Sequence, residues 1–309
     1  MGEIVLVGST GFVGGNLSAK GQFTATYHST DVQQGFGKEI DLLIYAGVPA
    51  AMFLANQDPA ADLAIMRTAR ENIRKLNAKK TVLISSICVF ADSKGKTEAD
   101  APLAADLPAY GANRLQLEQW VRQDIPDALI VRLPALYGIG LKKNFLYDLH
   151  TITPAMLRTA KYQELSAISD LVRDGYADAQ NGFYKLNGAV NADALRAFFA
   201  GHAFNALCFT DARSKYQFYD LRRLWADIQT ALAAHLTVLH LATPPCSAAE
   251  VYAAVQGAQA APFTNTLAGE PFDYDLQTQY AALFGGAGCY LCSKAQVLCD
   301  IVAFMQDWH

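Results

Sequence analysis

The stretch Glu3-Ile-Val-Leu-Val-Gly8-Ser-Thr-Gly11-Phe-Val-Gly14 decides the fold. Its first five residues form the short apolar run of a buried parallel strand, and Gly8 ends it. The glycines follow as G-x-x-G-x-x-G, directly after that strand and directly before a helix expected over 12–20 and stopped by Gly21. Gly8 permits a tight turn, Gly11 lets the backbone approach a pyrophosphate, and Gly14 lets helix and strand pack closely. The helix N-terminus adds free N–H groups and a partial positive charge. Thr10, Phe12 and Val13 complete the expected contact set with the three glycines. The stretch predicts a site for a nicotinamide dinucleotide, NAD or NADP.

Working outward, strands are expected over 23–28, 41–47, 81–85 and 128–133, and helices over 59–78 and 113–122. That alternation points to a parallel sheet with right-handed crossovers. The segment between the second strand and Asp41 is short and holds Gly35 and Gly37, so the usual third βα unit is abbreviated there. Residues 154–202 read as helical, 220–232 as a helix, 237–241 as a strand returning to the main sheet, and 293–307 as a final helix. The fold class is therefore α/β: a Rossmann-type doubly wound parallel sheet with a smaller, mostly helical second domain. The dinucleotide-binding domain is expected to take residues 1–160 plus about 203–242, and the substrate domain about 161–202 plus 243–309.

The chain has 309 residues, 52% of them apolar, enough for a full α/β core plus a small second domain. A net charge of −4 argues against nucleic acid as a partner. Anionic small molecules stay open, since a few arginines suffice for one phosphate. No apolar run approaches the roughly 18 residues that span a bilayer. The start has no basic n-region, so no membrane partner and a cytoplasmic location are expected. Six scattered cysteines do not form a disulfide scaffold. Cys289 and Cys292 have a C-x-x-C spacing, but no second pair or clustered histidines complete a zinc set, so buried thiols and no metal are expected.

At the end of the second strand, NAD-preferring enzymes keep a carboxylate for the ribose hydroxyls. Here that position is His28, followed by Ser29 and Thr30, and no carboxylate stands before Asp31. A neutral, donor-rich corner tolerates a 2′-phosphate, which leans the expectation to NADP while leaving NAD open. Ser85 and Ser86 end the strand over 81–85 at its carboxyl edge, where ligands of open α/β sheets bind. Tyr110 and Arg114 follow at i and i+4, sharing a helix face if the helix includes both. A tyrosine beside a cation and a hydroxyl is an acid/base arrangement, its phenol expected to be lowered by the positive charge.

On these residues the chain resembles the extended short-chain dehydrogenase/reductases, the NAD-dependent epimerase/dehydratase family. The resemblance is carried by Gly8, Gly11 and Gly14, by Ala46-Gly47, by Ser85-Ser86-Ile-Cys-Val-Phe90 and by Tyr110 at the position that opens the family's Tyr-x-x-x-Lys motif. Further matches are Arg132-Leu-Pro-Ala-Leu-Tyr-Gly138, Asn144-Phe-Leu, Gln217-Phe-Tyr-Asp-Leu and Leu239-His-Leu-Ala-Thr. The resemblance implies a reductase or epimerase of a nucleotide-linked sugar. Tyr110 is then the acid/base, Ser86 the hydroxyl that orients the substrate oxygen, and Asn144 a contact of the nucleotide diphosphate. A homodimer is the family habit.

Three departures follow. Arg114 stands where the family has lysine, and the two are not interchangeable. This keeps open a second reading, a cofactor-binding regulatory or scaffold protein with impaired catalysis. Ile87 and Cys88 occupy the places of the dehydratase Asp-Glu pair, which argues against a 4,6-dehydratase. The substrate-side arginine aligns with Tyr216, flanked by Arg213 and Lys215, either of which is a candidate phosphate contact, as are Lys142 and Lys143. A third, weaker option is reduction of a carbonyl compound that carries no nucleotide. Reductase and epimerase need the same tyrosine and serine, so the residues do not separate them.

Overall fold

The structure is a computed structural model describing residues 2–257 and 259–308. β1 (Glu3–Val7) runs through the glycine turn into α1 (Phe12–Lys20), as expected. There follow β2 (Ala25–Tyr27), β3 (Ile40–Tyr45), α2 (Met52–Gln57), α3 (Pro59–Leu76), β4 (Lys80–Ser86), α4 (Ala109–Asp124), β5 (Leu129–Leu133) and β6 (Ala135–Tyr137). Next come α5 (Phe145–Thr151), β7 (Met156–Arg158), α6 (Thr159–Ser166), α7 (Asp170–Gly175), β8 (Tyr176–Asp178), β9 (Phe183–Leu186) and α8 (Ala192–Ala200). The chain closes with β10 (Lys215–Tyr216), β11 (Phe218–Asp220), α9 (Leu224–Ala233), β12 (Val238–His240), α10 (Ala248–Gln256) and α11 (Lys294–Gln306).

The main sheet is parallel, in the order β12-β5-β4-β3-β1-β2. From β1 the chain goes first to one side and then to the other, so the order reverses between β1 and β3. In open α/β sheets the crevice at such a reversal is where ligands bind. Alternate strand residues feed two cores, as the period-2 pleat requires. Val5, Val7, Leu43, Leu83 and Ile130 pack with Met66, Ile73, Leu117 and Val121 of α3 and α4. Leu6, Ile44, Val82, Leu129 and Val131 pack with Leu17, Leu224 and Ile228 of α1 and α9. Each strand is thus apolar on both faces, which is why its sequence reads as an unbroken apolar run. A short 3-10 turn at Val32–Gly35 stands where the third βα unit is abbreviated.

α3 shows how the sequence sets one of these helices. Asp58 caps it by accepting from the Ala61 N–H at 3.0 Å, and Pro59 opens it. Met66, Ala69, Ile73 and Leu76 recur at helical spacing and are buried. Asn77 in the left-handed region ends it. α4 begins at Ala109, earlier than expected, so Tyr110 and Arg114 both lie inside the helix.

The chain forms two compact units. The first is Met1–Leu141, Lys215–Cys246 and Asp273–Phe304; the second is Lys142–Ser214, Ser247–Phe272 and Met305–His309. Residues 142–160 and 203–214 therefore lie in the second unit, and 243–246 and 273–304 in the first, unlike the expected partition. The second unit has a core of Leu157, Leu165, Val172, Tyr176, Leu195 and Phe199. It also holds an antiparallel sheet, β7-β9-β8, in the stretch expected to be helical. The cause is a β-hairpin at Asn181-Gly182: Gln180 and Gly182 take positive φ, and Asp178 accepts from the Gln180 N–H at 2.8 Å. Residues 218–220 are strand β11, paired with β6, and the helix expected from 220 starts at Leu224. None of the six cysteines forms a disulfide; Cys246 is buried, Cys299 is exposed and the rest are half-buried, so the buried-thiol expectation holds for Cys246 alone. Among the described residues no helix is long and apolar enough to cross a membrane.

Candidate active site

Gly8 and Gly14 are required by close approach. Gly8 has φ +96°, and a Cβ on it would lie 2.5 Å from the Ala46 carbonyl oxygen. A Cβ on Gly14 would lie 2.0 Å from the Gly8 oxygen, so α1 touches the turn backbone to backbone. Ala46 in turn donates to the Val7 carbonyl at 2.9 Å, which seats Ala46-Gly47 against the loop at the sheet reversal. Gly11 is the N-cap of α1 and offers no side chain to occupy the first-turn donors. Thr10 and Gly11 are exposed, Phe12 and Val13 half-buried. This bare, backbone-lined helix start fits a pyrophosphate.

The end of β2 is built as a neutral corner. His28 Nδ1 lies 3.4 Å from Ser9 Oγ and 3.5 Å from Thr10 Oγ1. Asp31, the nearest carboxylate, accepts from the His28 backbone N–H at 2.6 Å and so is committed to its own turn. Ser29 is exposed beside it.

At the carboxyl end of β4 the two serines part. Ser85 is buried and donates to Glu118 Oε1 at 2.6 Å. Glu118 also pairs with buried Arg132 at 2.7 Å, and Arg132 Nη1 donates to His240 Nε2 at 3.1 Å. The other His240 nitrogen lies 2.8 Å from the Gln277 carbonyl, which fixes the proton on Nδ1. Burial pushes His240 below the usual histidine range, in keeping with a neutral ring. Ser85 is therefore a structural hydroxyl. Ser86 is half-buried and caps the 3-10 turn Ile87–Val89 by accepting from the Cys88 N–H at 3.2 Å.

α4 reaches this turn through Gly111, where a Cβ would lie 2.1 Å from the Cys88 oxygen. The close approach sets Tyr110, 8% exposed, beside the Ser86–Cys88 turn. Burial pushes the Tyr110 phenol above the ordinary tyrosine range, against the opposing pull of the Arg114 charge; the Cys88 thiol adds to the rise, and the Ser86 hydroxyl favours the phenolate. The expected lowering by the adjacent cation is thus overridden, because the phenol loses more hydration than the guanidinium returns.

Arg114 lies over the face of the Tyr110 ring, 3.9 Å from guanidinium carbon to ring centre. It is 5% exposed and its donors are engaged: Nη1 with Asp62 of α3 and with the Tyr110 carbonyl at 3.4 Å, Nη2 with the Pro49 carbonyl at 2.6 Å. Asn113 also donates to Asp62, at 2.9 Å, and to the Pro59 carbonyl, at 3.1 Å. Asn56 of α2 accepts from the Tyr110 N–H at 2.9 Å. Residues 49–62 thus hold the first turn of α4. The sequence reading missed Asn56, Asp62 and Glu118. Asp62 reads along the chain as an ordinary acid in a helix first turn.

The expected substrate-side residues are each engaged locally. Asn144, at φ +101°, caps α5 by accepting from the Leu146 and Tyr147 N–H groups. Arg213 is exposed and forms a bidentate pair with Asp211, at 3.0 and 2.8 Å. Lys215 is exposed and lies 3.3 Å from Asp273. Both cations are therefore already charge-compensated. Among the aromatic residues within 209–219, Phe218 and Tyr219 are core residues and Phe209 is exposed.

The sequence model of the family described as RmlD substrate binding domain matches residues 2–173. The chain belongs to that family and, with it, to the extended short-chain dehydrogenase/reductases that its motifs resemble. Sequence comparison with curated proteins gave no match. Among solved structures, the chain resembles dTDP-4-dehydrorhamnose reductase from Yersinia enterocolitica, with a TM-score of 0.62 and 15% identity over 99% of both chains. It also resembles dTDP-4-dehydrorhamnose reductase from Bacillus anthracis in complex with NADP, with a TM-score of 0.61, 16% identity and full coverage of both chains. UDP-glucose 4-epimerase from Thermotoga maritima with UDP-glucose gives a TM-score of 0.62 and 11% identity over 98% of this chain and 97% of that one. At these identities the likenesses establish the fold, a Rossmann-type parallel sheet.

Proposed function

We propose that this member of the family is an NAD(P)-dependent oxidoreductase or epimerase acting on a nucleotide-linked sugar. The observation that carries the reading is that the Gly8–Gly14 loop and Ser86 stand at the carboxyl ends of β1 and β4 in one parallel sheet, with Tyr110 packed beside the Ser86–Cys88 turn. NAD(P), when bound, supplies a hydride donor or acceptor. Gly8, Gly11, Gly14 and the N-terminus of α1 would hold its pyrophosphate, with Thr10, Phe12, Val13 and Ala46-Gly47 lining the loop. His28 and Ser29 form a corner without a carboxylate, which favours a 2′-phosphate and hence NADP.

Tyr110 keeps its proton at neutral pH, because burial holds the phenol above its ordinary range. It is thus set to donate that proton to a substrate oxygen as a carbonyl becomes an alkoxide. Ser86 orients the oxygen, and the Arg114 charge favours the phenolate that remains. Reduction is favoured at neutral pH and oxidation gains as pH rises. On the substrate side, Asn144, Arg213 and Lys215 are the proposed contacts, with Arg213 and Lys215 needing to exchange their carboxylate partners for a phosphate. The solved UDP-glucose 4-epimerase of the same fold, which holds UDP-glucose, supports the substrate class.

The test is Tyr110→Phe. Turnover of nucleotide sugars should fall by at least about 100-fold, the ordinary contribution of a positioned acid/base, while cofactor affinity is unchanged. Full turnover in the variant would overturn the assignment. A second reading, a cofactor-binding protein with impaired catalysis, is favoured by one observation: Arg114 spends its donors on Asp62 and Pro49.

A further inference from the structure

We propose that Asp62 is a positioning residue for the acid/base unit: through its bridge to Arg114 it holds the guanidinium on the ring face of Tyr110. The proposal rests on the reading of Tyr110 as acid/base.

Asp62 and Arg114 are 52 positions apart and meet as a buried pair, 7% and 5% exposed. A buried ion pair is retained at a desolvation cost, so its presence beside a candidate reacting group calls for a role. Asp62 is held by a second donor, Asn113. Arg114 is drawn from the other side by the Pro49 carbonyl. The guanidinium is therefore pinned between α3 and the loop at Pro49, and it lies over the ring of Tyr110. A lysine at this position is a flexible point charge and would not need such a clamp; a planar guanidinium has to be oriented before it can stack. The other groups facing the phenol are the Ser86 hydroxyl and the Cys88 thiol, neither charged at neutral pH. The Arg114 position is thus the main charge-dependent control on Tyr110, and Asp62 sets it.

The test uses the cofactor-free protein labelled with 13Cζ-tyrosine, the Tyr110 resonance being assigned by its loss in Y110F. Asp62→Glu keeps the charge but lengthens the arm, so a shift in the Tyr110 titration reports position alone. Asp62→Ala removes the anchor. Both should raise the Tyr110 midpoint by about half a unit or more, roughly a three-fold change in ionisation. In an Arg114→Met background neither should move it. The same shift should appear in the pH profile of turnover, without a change in cofactor affinity. If Asp62→Ala does not fold, Asp62→Glu carries the test. No shift in a folded variant, or an equal shift in the Arg114→Met background, overturns the proposal. Should Y110F prove fully active, the acid/base reading fails while the titration still reports whether Asp62 controls Arg114. Should Y110F be inactive and the titration flat, the positioning role alone fails.

Discussion

Arg114 stacks on Tyr110 at 3.9 Å, and its Nη1 bridges to Asp62 on a different helix. The first contact follows from i, i+4 spacing in α4. The second comes from the packing of α3 against α4 and decides how the cation is oriented. It also separates this protein's Tyr–Arg pair from an ordinary tyrosine–lysine pair.

Arg114→Lys should lower both stability and turnover. Lysine carries three donors on one nitrogen and cannot span Asp62, the Tyr110 carbonyl and the Pro49 carbonyl as the guanidinium does. The buried acceptors left short cost about 1–3 kcal/mol, read by denaturant unfolding. A gain in turnover would instead support the reading of impaired catalysis.

Cofactor choice should respond to His28. In His28→Asp, a carboxylate would stand at the end of β2, where it accepts from ribose hydroxyls and repels a 2′-phosphate. NADPH affinity should fall by about 10-fold or more, a loss on the order of 1.4 kcal/mol, with NADH affinity unchanged or improved. Fluorescence titration at fixed ionic strength reads both. Equal effects on the two cofactors would remove His28 from the selectivity site.

Gly111→Ala should push α4 away from the Ser86–Cys88 turn, because the added Cβ would sit 2.1 Å from the Cys88 oxygen and backbone cannot yield cheaply. Overpacking of this kind costs about 1–3 kcal/mol. Turnover should drop more than cofactor affinity, since Tyr110 moves and the glycine loop does not. Stability and activity both at wild-type level would contradict the close approach.

Asp148 offers a pH test in the second unit. Burial raises its carboxyl to about 7 from an ordinary 3.8. The folded chain then binds more protons than the unfolded chain between these values, so stability falls as pH rises from about 4 to about 7 and levels off above. Asp148→Asn should be neutral near pH 4 and stabilising by roughly 2–3 kcal/mol at pH 8, after discounting for the partial exposure of the group. Denaturant melts at the two pH values check it; a gain of equal size at both would mean the carboxyl is not titrating in this window.

The site was legible where its chemistry is local in sequence. The β1 turn, Ser86 and the Tyr110–Arg114 spacing are all read within one or two elements, because strand, turn and helix-face geometry act over a few residues. The antiparallel hairpin at Asn181-Gly182 was missed, because its turn signal lay inside a stretch whose alanines and leucines suggest helix. Ser85 and Ser86 looked alike along the chain, and only the arrival of Glu118 from α4 made one structural.

The amino-acid sequence by itself determined the glycine loop, since Gly8 and Gly14 stand where an added Cβ would meet backbone oxygens at 2.5 Å and 2.0 Å. It also determined the doubly apolar strands and hence a sheet covered on both faces. Tertiary structure decided the electrostatics of the site. Whether Tyr110 is raised or lowered depends on how much water it loses and on where Arg114 is held. Those quantities are set by residues 49–62 and by Gly111 packing on the turn, contacts between segments far apart in the chain. Local periodicity carries no information about such encounters, so the loop could be read from the sequence and the charge balance at Tyr110 could not.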